Sequence, residues 1–198
     1  MIPLTATLVA DPPWKHGDQL PGSGRGAEKH YRCMSTADIC ALHLPALEPD
    51  AILFLWRVAS MLPDALRVCK AWGFEPKSEL VWVKTSGEIK TTDDVGVLPD
   101  ARLHFGMGRY TRASHEVCII ATRGKAAGLI QRHNVRSVFF APVGEHSAKP
   151  AEFYRIVESL VAGPIVELFA REARGGRWTC LGDSLGTEIK FGLTGGRP

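Results

Sequence analysis

Two adjacent prolines, Pro12 and Pro13, follow the apolar run Ala6-Thr7-Leu8-Val9-Ala10 and Asp11. Proline fixes its φ angle and has no amide to donate, so a strand built from that run cannot go on pairing beyond it. The chain must end a buried strand at Asp11 and leave the tetrad Asp11-Pro12-Pro13-Trp14 at the carboxyl edge of a sheet. That edge is where open α/β sheets hold their ligands.

The rest of the chain supplies such a sheet. Apolar or β-branched runs predict strands over Leu4–Ala10, Ala51–Trp56, Glu79–Lys84, His115–Thr122, Val138–Ala141, Ile165–Phe169 and Trp178–Leu181. Ser35 is placed to cap a helix ahead of Ile39 and Leu42. Pro63–Trp72 predicts a second helix, with Leu62, Leu66 and Cys69 as its apolar stripe and Gly73 as its stop. Ser147 is a candidate cap for a third over Pro150–Val161, whose stripe is Phe153, Ile156, Val157 and Leu160. Strands alternating with helices indicate an α/β class with helices on the sheet faces. Two segments, Lys15–Arg32 and Thr85–Arg112, carry glycine and polar residues without periodicity and are expected to be substrate-facing loops. We expect one domain over 1–186 and a weakly structured tail over 187–198.

A chain of 198 residues suits one domain with a real core. Its 24 Lys and Arg against 21 Asp and Glu give a net charge of +3, compatible with a nucleic-acid partner. The basic residues cluster: Lys15, Arg25, Lys29, His30 and Arg32 in the first loop, then Arg109, Arg112, Arg123, Lys125, Arg132, His133 and Arg136. The five cysteines form no Cys-x-x-Cys pair and no zinc pattern, so they are read as reduced thiols, and no metal is expected. No apolar run approaches the roughly 20 residues that cross a bilayer, and no signal peptide opens the chain, which predicts a cytoplasmic protein, or a nuclear one.

The chemistry that suits the tetrad is methylation of an exocyclic amine on a nucleobase. Such a nitrogen is a poor nucleophile because its lone pair is delocalised into the ring. Two acceptors aimed at its N–H groups, a carboxylate oxygen of Asp11 and the carbonyl of Pro12, would draw it toward a tetrahedral, attacking geometry. The same carboxylate stabilises the positive charge that grows on the nitrogen. Trp14 is expected to offer a flat face on which the base stacks.

The tetrad, together with Tyr31-Arg32-Cys33-Met34-Ser35, Phe54-Leu55-Trp56, Val81-Trp82-Val83-Lys84-Thr85, Lys149-Pro150, Glu167-Leu168-Phe169-Ala170-Arg171, Trp178 and Gly182, resembles the MT-A70 adenine-N6 methyltransferases over most of the chain. The resemblance implies a Rossmann-like fold dependent on S-adenosylmethionine, permuted so that the catalytic motif precedes the main cofactor-binding motif. It further implies that Lys149 meets the methionyl carboxylate, Asp11 the ammonium and Arg171 the ribose region, that Phe169 lines the pocket, and that Asp183 and Ser184 lie near the adenosine. On the substrate side it implies Tyr31, Lys84 and Glu116 beside the stacking face expected of Trp14, while Arg109 and Arg112, flanking Tyr110, combine cations with a ring as a strand-tracking groove would. Ala173-Arg174 and Asp183-Ser184 depart from the His-Asn and Asn-Gln common in the family.

The expected function is methyl transfer to adenine N6 in nucleic acid, DNA rather than RNA since no RNA-binding module is recognisable. Two alternatives stand beside it: cytosine-N4 methylation, and a non-catalytic nucleic-acid-binding subunit of a methyltransferase complex. A second copy or a partner subunit is compatible with either.

Overall fold

The first strand stops where the prolines require it. The computed structural model describes residues 2–15, 33–87, 103–106, 110–145 and 148–186, and in it β1 spans Thr5–Ala10. With β2 (Leu47–Arg57), β3 (Glu75–Thr85), β4 (His115–Arg123), β5 (Val138–Pro142), β6 (Ile165–Leu168) and β7 (Trp178–Leu181) it forms a seven-stranded sheet in the order β5-β3-β4-β2-β1-β6-β7. β4 runs antiparallel to both its neighbours, and every other pairing is parallel.

The chain lays β2 to β5 on one side of β1 and then returns to place β6 and β7 on the other. Ala10 therefore pairs with Leu55 on one flank and Leu168 on the other. The reversal of strand order makes the carboxyl ends of β1 and β6 the topological switch point, the position at which a doubly wound sheet opens a crevice. This is the expected permuted α/β arrangement, with the tetrad strand first in sequence and its partner β6 near the end.

Strands covered on both faces read as continuous apolar runs, and all six residues Ala51 to Trp56 are buried. Alternation divides them. Leu8, Ala10, Leu53 and Leu55 join the cluster that includes α1 (Thr36–Cys40) and α2 (Leu62–Ala71), while Val9, Ile52, Phe54 and Trp56 join the one that includes α3 (Ala151–Leu160). Phe153 of α3 packs edge-on against Trp56, ring centres 4.8 Å apart.

Ser35 caps α1 as expected, accepting from the Asp38 amide at 3.1 Å while its own amide donates to the Asp38 carboxylate at 3.3 Å. In α2 the expected stripe is wrong by part of a turn. Leu62 and Leu66 are 39% and 41% exposed, and the buried residues are Ala65, Val68 and Cys69. Small side chains face the sheet and let the helix approach it closely, so the larger leucines sit at the margin. In α3, Tyr154 is buried and Ile156 only partly so, because the tyrosine hydroxyl has a buried partner on β6. Ser147, Tyr31, Arg109 and the tail 187–198 lie outside the described residues.

Candidate active site

Pro13 forms the centre of a three-residue turn in which the Trp14 amide donates to the Pro12 carbonyl at 2.8 Å, a geometry the proline φ suits. Met34 then pairs with the tetrad: its amide donates to Pro13 and its carbonyl accepts from Lys15, at 2.8 and 2.9 Å. Trp14 is not an open stacking face. It is 4% exposed, sits within the α1/α2 core cluster and donates its indole N–H to the Trp56 carbonyl at 3.1 Å. The bond ties the tetrad to the end of β2, so Trp14 braces the loop from within.

Asp11 emerges beside Trp56 and Phe169, one residue beyond the paired Ala10, Leu55 and Leu168. Its Oδ2 accepts from Lys149 Nζ at 2.6 Å. The same ammonium lies 3.3 Å from Glu116 Oε2, and Glu116 Oε1 accepts from Lys84 Nζ at 2.5 Å. Four residues distant in sequence thus form a chain of alternating charge, Asp11, Lys149, Glu116, Lys84. Topology explains the meeting. The carboxyl ends of β1 and β3 carry Asp11 and Lys84, antiparallel β4 brings its amino end with Glu116 to the same edge, and Lys149 stands just before α3.

Lys149 is 7% exposed and lies over the Trp56 ring, 5.1 Å from its centre. Burial works against its charge, but the carboxylates of Asp11 and Glu116 outweigh that and hold its pKa above the ordinary lysine value. Glu116 shows the reverse: burial raises it, and Lys149 with Lys84 more than compensates, so its pKa lies below the usual carboxylate range.

Across the crevice, Phe169 leaves β6 with φ of 63°, a left-handed backbone uncommon for a bulky residue, and its ring packs part-buried on the α1/α2 cluster. Gly182, alongside it after β7, is pressed so close that a Cβ would stand 2.1 Å from the Ala170 carbonyl oxygen. Arg171 is half-buried in the loop after β6, and Asp183 and Ser184 open an exposed helical turn after Gly182. Arg174, at a position departing from the family pattern, folds back: its guanidinium carbon lies 3.3 Å from the centre of the Tyr154 ring and its Nε 3.3 Å from Glu167 Oε2. Tyr154 in turn donates to Glu167 Oε1 at 3.0 Å. Sequence reasoning missed this cluster, because Glu167 interrupts an apolar strand with no local sign of its partners.

The sequence model described as MT-A70 matches residues 6–184. The chain belongs to the MT-A70 family. An N(6)-adenosine-methyltransferase MT-A70-like protein of Drosophila melanogaster is 31% identical over 91% of this chain, and the human N(6)-adenosine-methyltransferase catalytic subunit METTL3 is 28% identical over 91%. The chain spans 27% and 28% of the lengths of those relatives. The type II methyltransferase M.MunI of Mycoplasma sp is 26% identical over 83% of this chain and 71% of its own length.

Of the positions anticipated on the substrate side, Lys84 and Glu116 belong to the charge chain, Arg112 is exposed beside Phe105, and Tyr31 and Arg109 fall outside the described residues. The later basic residues do not form one path. Antiparallel β4 carries Arg123 to the opposite edge of the sheet, where it donates to the Leu47 and Glu48 carbonyls, and the Lys125 amide there donates to Asp50. An open groove of about 660 Å³ at that far edge, bounded by Lys70, Phe74, Lys77 and Arg123, does not touch Asp11. Among the described residues no group of His, Cys, Asp or Glu is arranged to hold a metal, and no helix is long and apolar enough to cross a membrane.

Proposed function

We propose that this MT-A70 chain transfers a methyl group from S-adenosylmethionine to the N6 amine of adenine in nucleic acid, with DNA as that nucleic acid. One observation carries the proposal: a carboxylate and a proline carbonyl at the switch point, with the carboxylate oriented by a buried lysine. The names of the Drosophila and human relatives favour adenine N6, and the likeness to a type II methyltransferase, most of whose length is covered, favours DNA.

The donor set fits the cofactor. Its methionyl end is a zwitterion, and Lys149 and Asp11 offer one ammonium and one carboxylate in contact with each other. Phe169 and Arg171 would flank the nucleoside part, with Asp183 and Ser184 beyond the next strand. S-adenosylmethionine supplies an electrophilic methyl carbon when bound.

The chain's own residues do the rest. Lys149 engages Oδ2 of Asp11, and a carboxylate has acceptor sites on both oxygens, so Oδ1 can take one N–H of the target amine. Pro12 has given one lone pair to Trp14, and a carbonyl has two, so it can take the other. With both protons held, the nitrogen lone pair is turned out of conjugation, and the nearby carboxylate stabilises the charge that develops. No histidine base is required, because the methylated amine loses its proton to water or to Asp11.

A labelled-methyl assay on duplex DNA, single-stranded DNA and RNA, with digestion to nucleosides, tests the reading. We expect N6-methyladenine in DNA, and a loss of about 10²–10³-fold in kcat for Asp11→Ala with the fold retained. N4-methylcytosine as the product, methylation of RNA alone, or full activity in Asp11→Ala would each overturn the corresponding part.

A further inference from the structure

Trp14 is buried, so a strand whose base is drawn toward Asp11 must find aromatic support elsewhere. Exposed rings occur at the right edge. Phe105 is 76% exposed and Tyr110 93%. Tyr110 rests on an open bend, whereas the backbone carrying Phe105 is held firmly. Leu103 bridges to Thr85 and the His104 amide donates to the Lys84 carbonyl at 2.9 Å. The Ser114 hydroxyl donates to the His104 carbonyl at 2.9 Å, and Gly106 lies so close to Ala113 that a Cβ would come 2.2 Å from its carbonyl oxygen. The short segment is thus fixed between the end of β3 and the start of β4.

Its neighbours are residues of the charge chain. His104 bonds to the backbone of Lys84, and Ser114 lies two residues before Glu116. The start of β4 stands two strand spacings from β1, about 10 Å, within reach of a nucleotide adjoining one held at Asp11. Arg112 completes the surface, its guanidinium carbon 4.9 Å from the centre of the Phe105 ring. An aromatic ring and a guanidinium plane are the two side-chain surfaces on which unstacked bases rest, and the cation also pairs with phosphate.

We propose that Phe105 and Arg112 form the stacking platform for the base next to the target, on a strand whose target nucleotide enters the crevice at Asp11. The inference rests on the function proposed above. A solvent-exposed phenylalanine loses contact with water when a base covers it, which gives the exposed ring a favourable use. Stacking of this kind tolerates any base, so the platform grips the strand without reading its sequence.

The test combines a protein change with a strand change. Binding of single-stranded oligonucleotides with one adenine is measured by fluorescence anisotropy, and KM and kcat by methyl transfer, for the wild type, Phe105→Ala and Phe105→Trp. A second oligonucleotide carries abasic sites on both sides of the adenine. Phe105→Ala is expected to weaken binding and raise KM by roughly 5- to 150-fold with kcat and cofactor affinity unchanged, and Phe105→Trp to restore both. Abasic flanks should weaken the wild type to the level of Phe105→Ala and leave that variant unmoved. Because the ring is exposed, thermal melting should not change. An unchanged KM in Phe105→Ala, or equal losses from abasic flanks in both proteins, overturns the platform and leaves the proposed function standing. A wild type that neither binds nor methylates DNA or RNA overturns both.

Discussion

Lys149 holds the site's electrostatics together. It touches both carboxylates of the charge chain, and without it Asp11 and Glu116 would face each other across a partly dry space. Breaking a buried pair costs about 3–5 kcal/mol, and the lower end applies here because the two carboxylates remain 28% and 30% exposed. Lys149→Met should lower the urea midpoint accordingly and abolish cofactor binding by calorimetry. Glu116→Gln is subtler. It keeps the shape and a hydrogen-bonding group but removes a charge that raises the lysine pKa, so the alkaline limb of kcat/KM should move to lower pH. An unmoved limb would show that Lys149 deprotonation does not limit the reaction. Single residues of this kind were legible early: Asp11 and Lys149 were named from sequence, but nothing local revealed that they touch.

At the scale of elements, the segment after β6 is the part most dependent on its surroundings. Phe169 takes a left-handed backbone, and the loop that follows is pinned by Arg174 against Tyr154 of α3 and Glu167 of β6. Arg174→Ala should therefore raise the KM for S-adenosylmethionine with little change in kcat, since it loosens the loop without touching Asp11. Equal changes in both constants would place its effect in the chemical step. Gly182→Ala should cost about 1–3 kcal/mol in thermal or urea unfolding, because the new methyl group meets a backbone oxygen that cannot retreat without breaking the Ala170 to Leu181 hydrogen bond. Elements marked by an apolar run or a capping residue were readable in advance, as β1, β7 and α1 show. The buried face of α2 was not, because leucines mark hydrophobicity whereas Ala65, Val68 and Cys69 mark close approach, and only the sheet decides which the site needs.

For the molecule as a whole, the shifted groups set the pH range of stability. Lys149 has a folded pKa above 10.5, so its contribution is fully present below that value and is lost as pH rises through the folded pKa. Glu116 is depressed, so its contribution is present above 4.5 and is lost as pH falls through its folded pKa. Glu167 runs the other way. Burial raises it despite Arg174, so the folded state binds its proton more readily and mild acid relieves the cost of charging it. Urea midpoints should thus fall on the alkaline side, first above about 9.0, where the thiols of Cys69 and Cys118 that burial keeps protonated would ionise on unfolding, and further above 10.5, and Lys149→Met should remove its share of that later decline. A decline unchanged in the variant would assign it to other groups.

By itself the sequence determined the order of the elements, the end of β1 and the presence of an acidic tetrad at a sheet edge. Each of these follows from backbone constraints and apolar runs that act within a few residues. Tertiary structure decided which side chains meet. It buried Trp14, joined Asp11, Lys149, Glu116 and Lys84 through one antiparallel strand, and sent Arg123 to the far edge. The physical reason is that strand direction and order set the position of a residue in space, and both arise from pairings between segments a hundred or more residues apart.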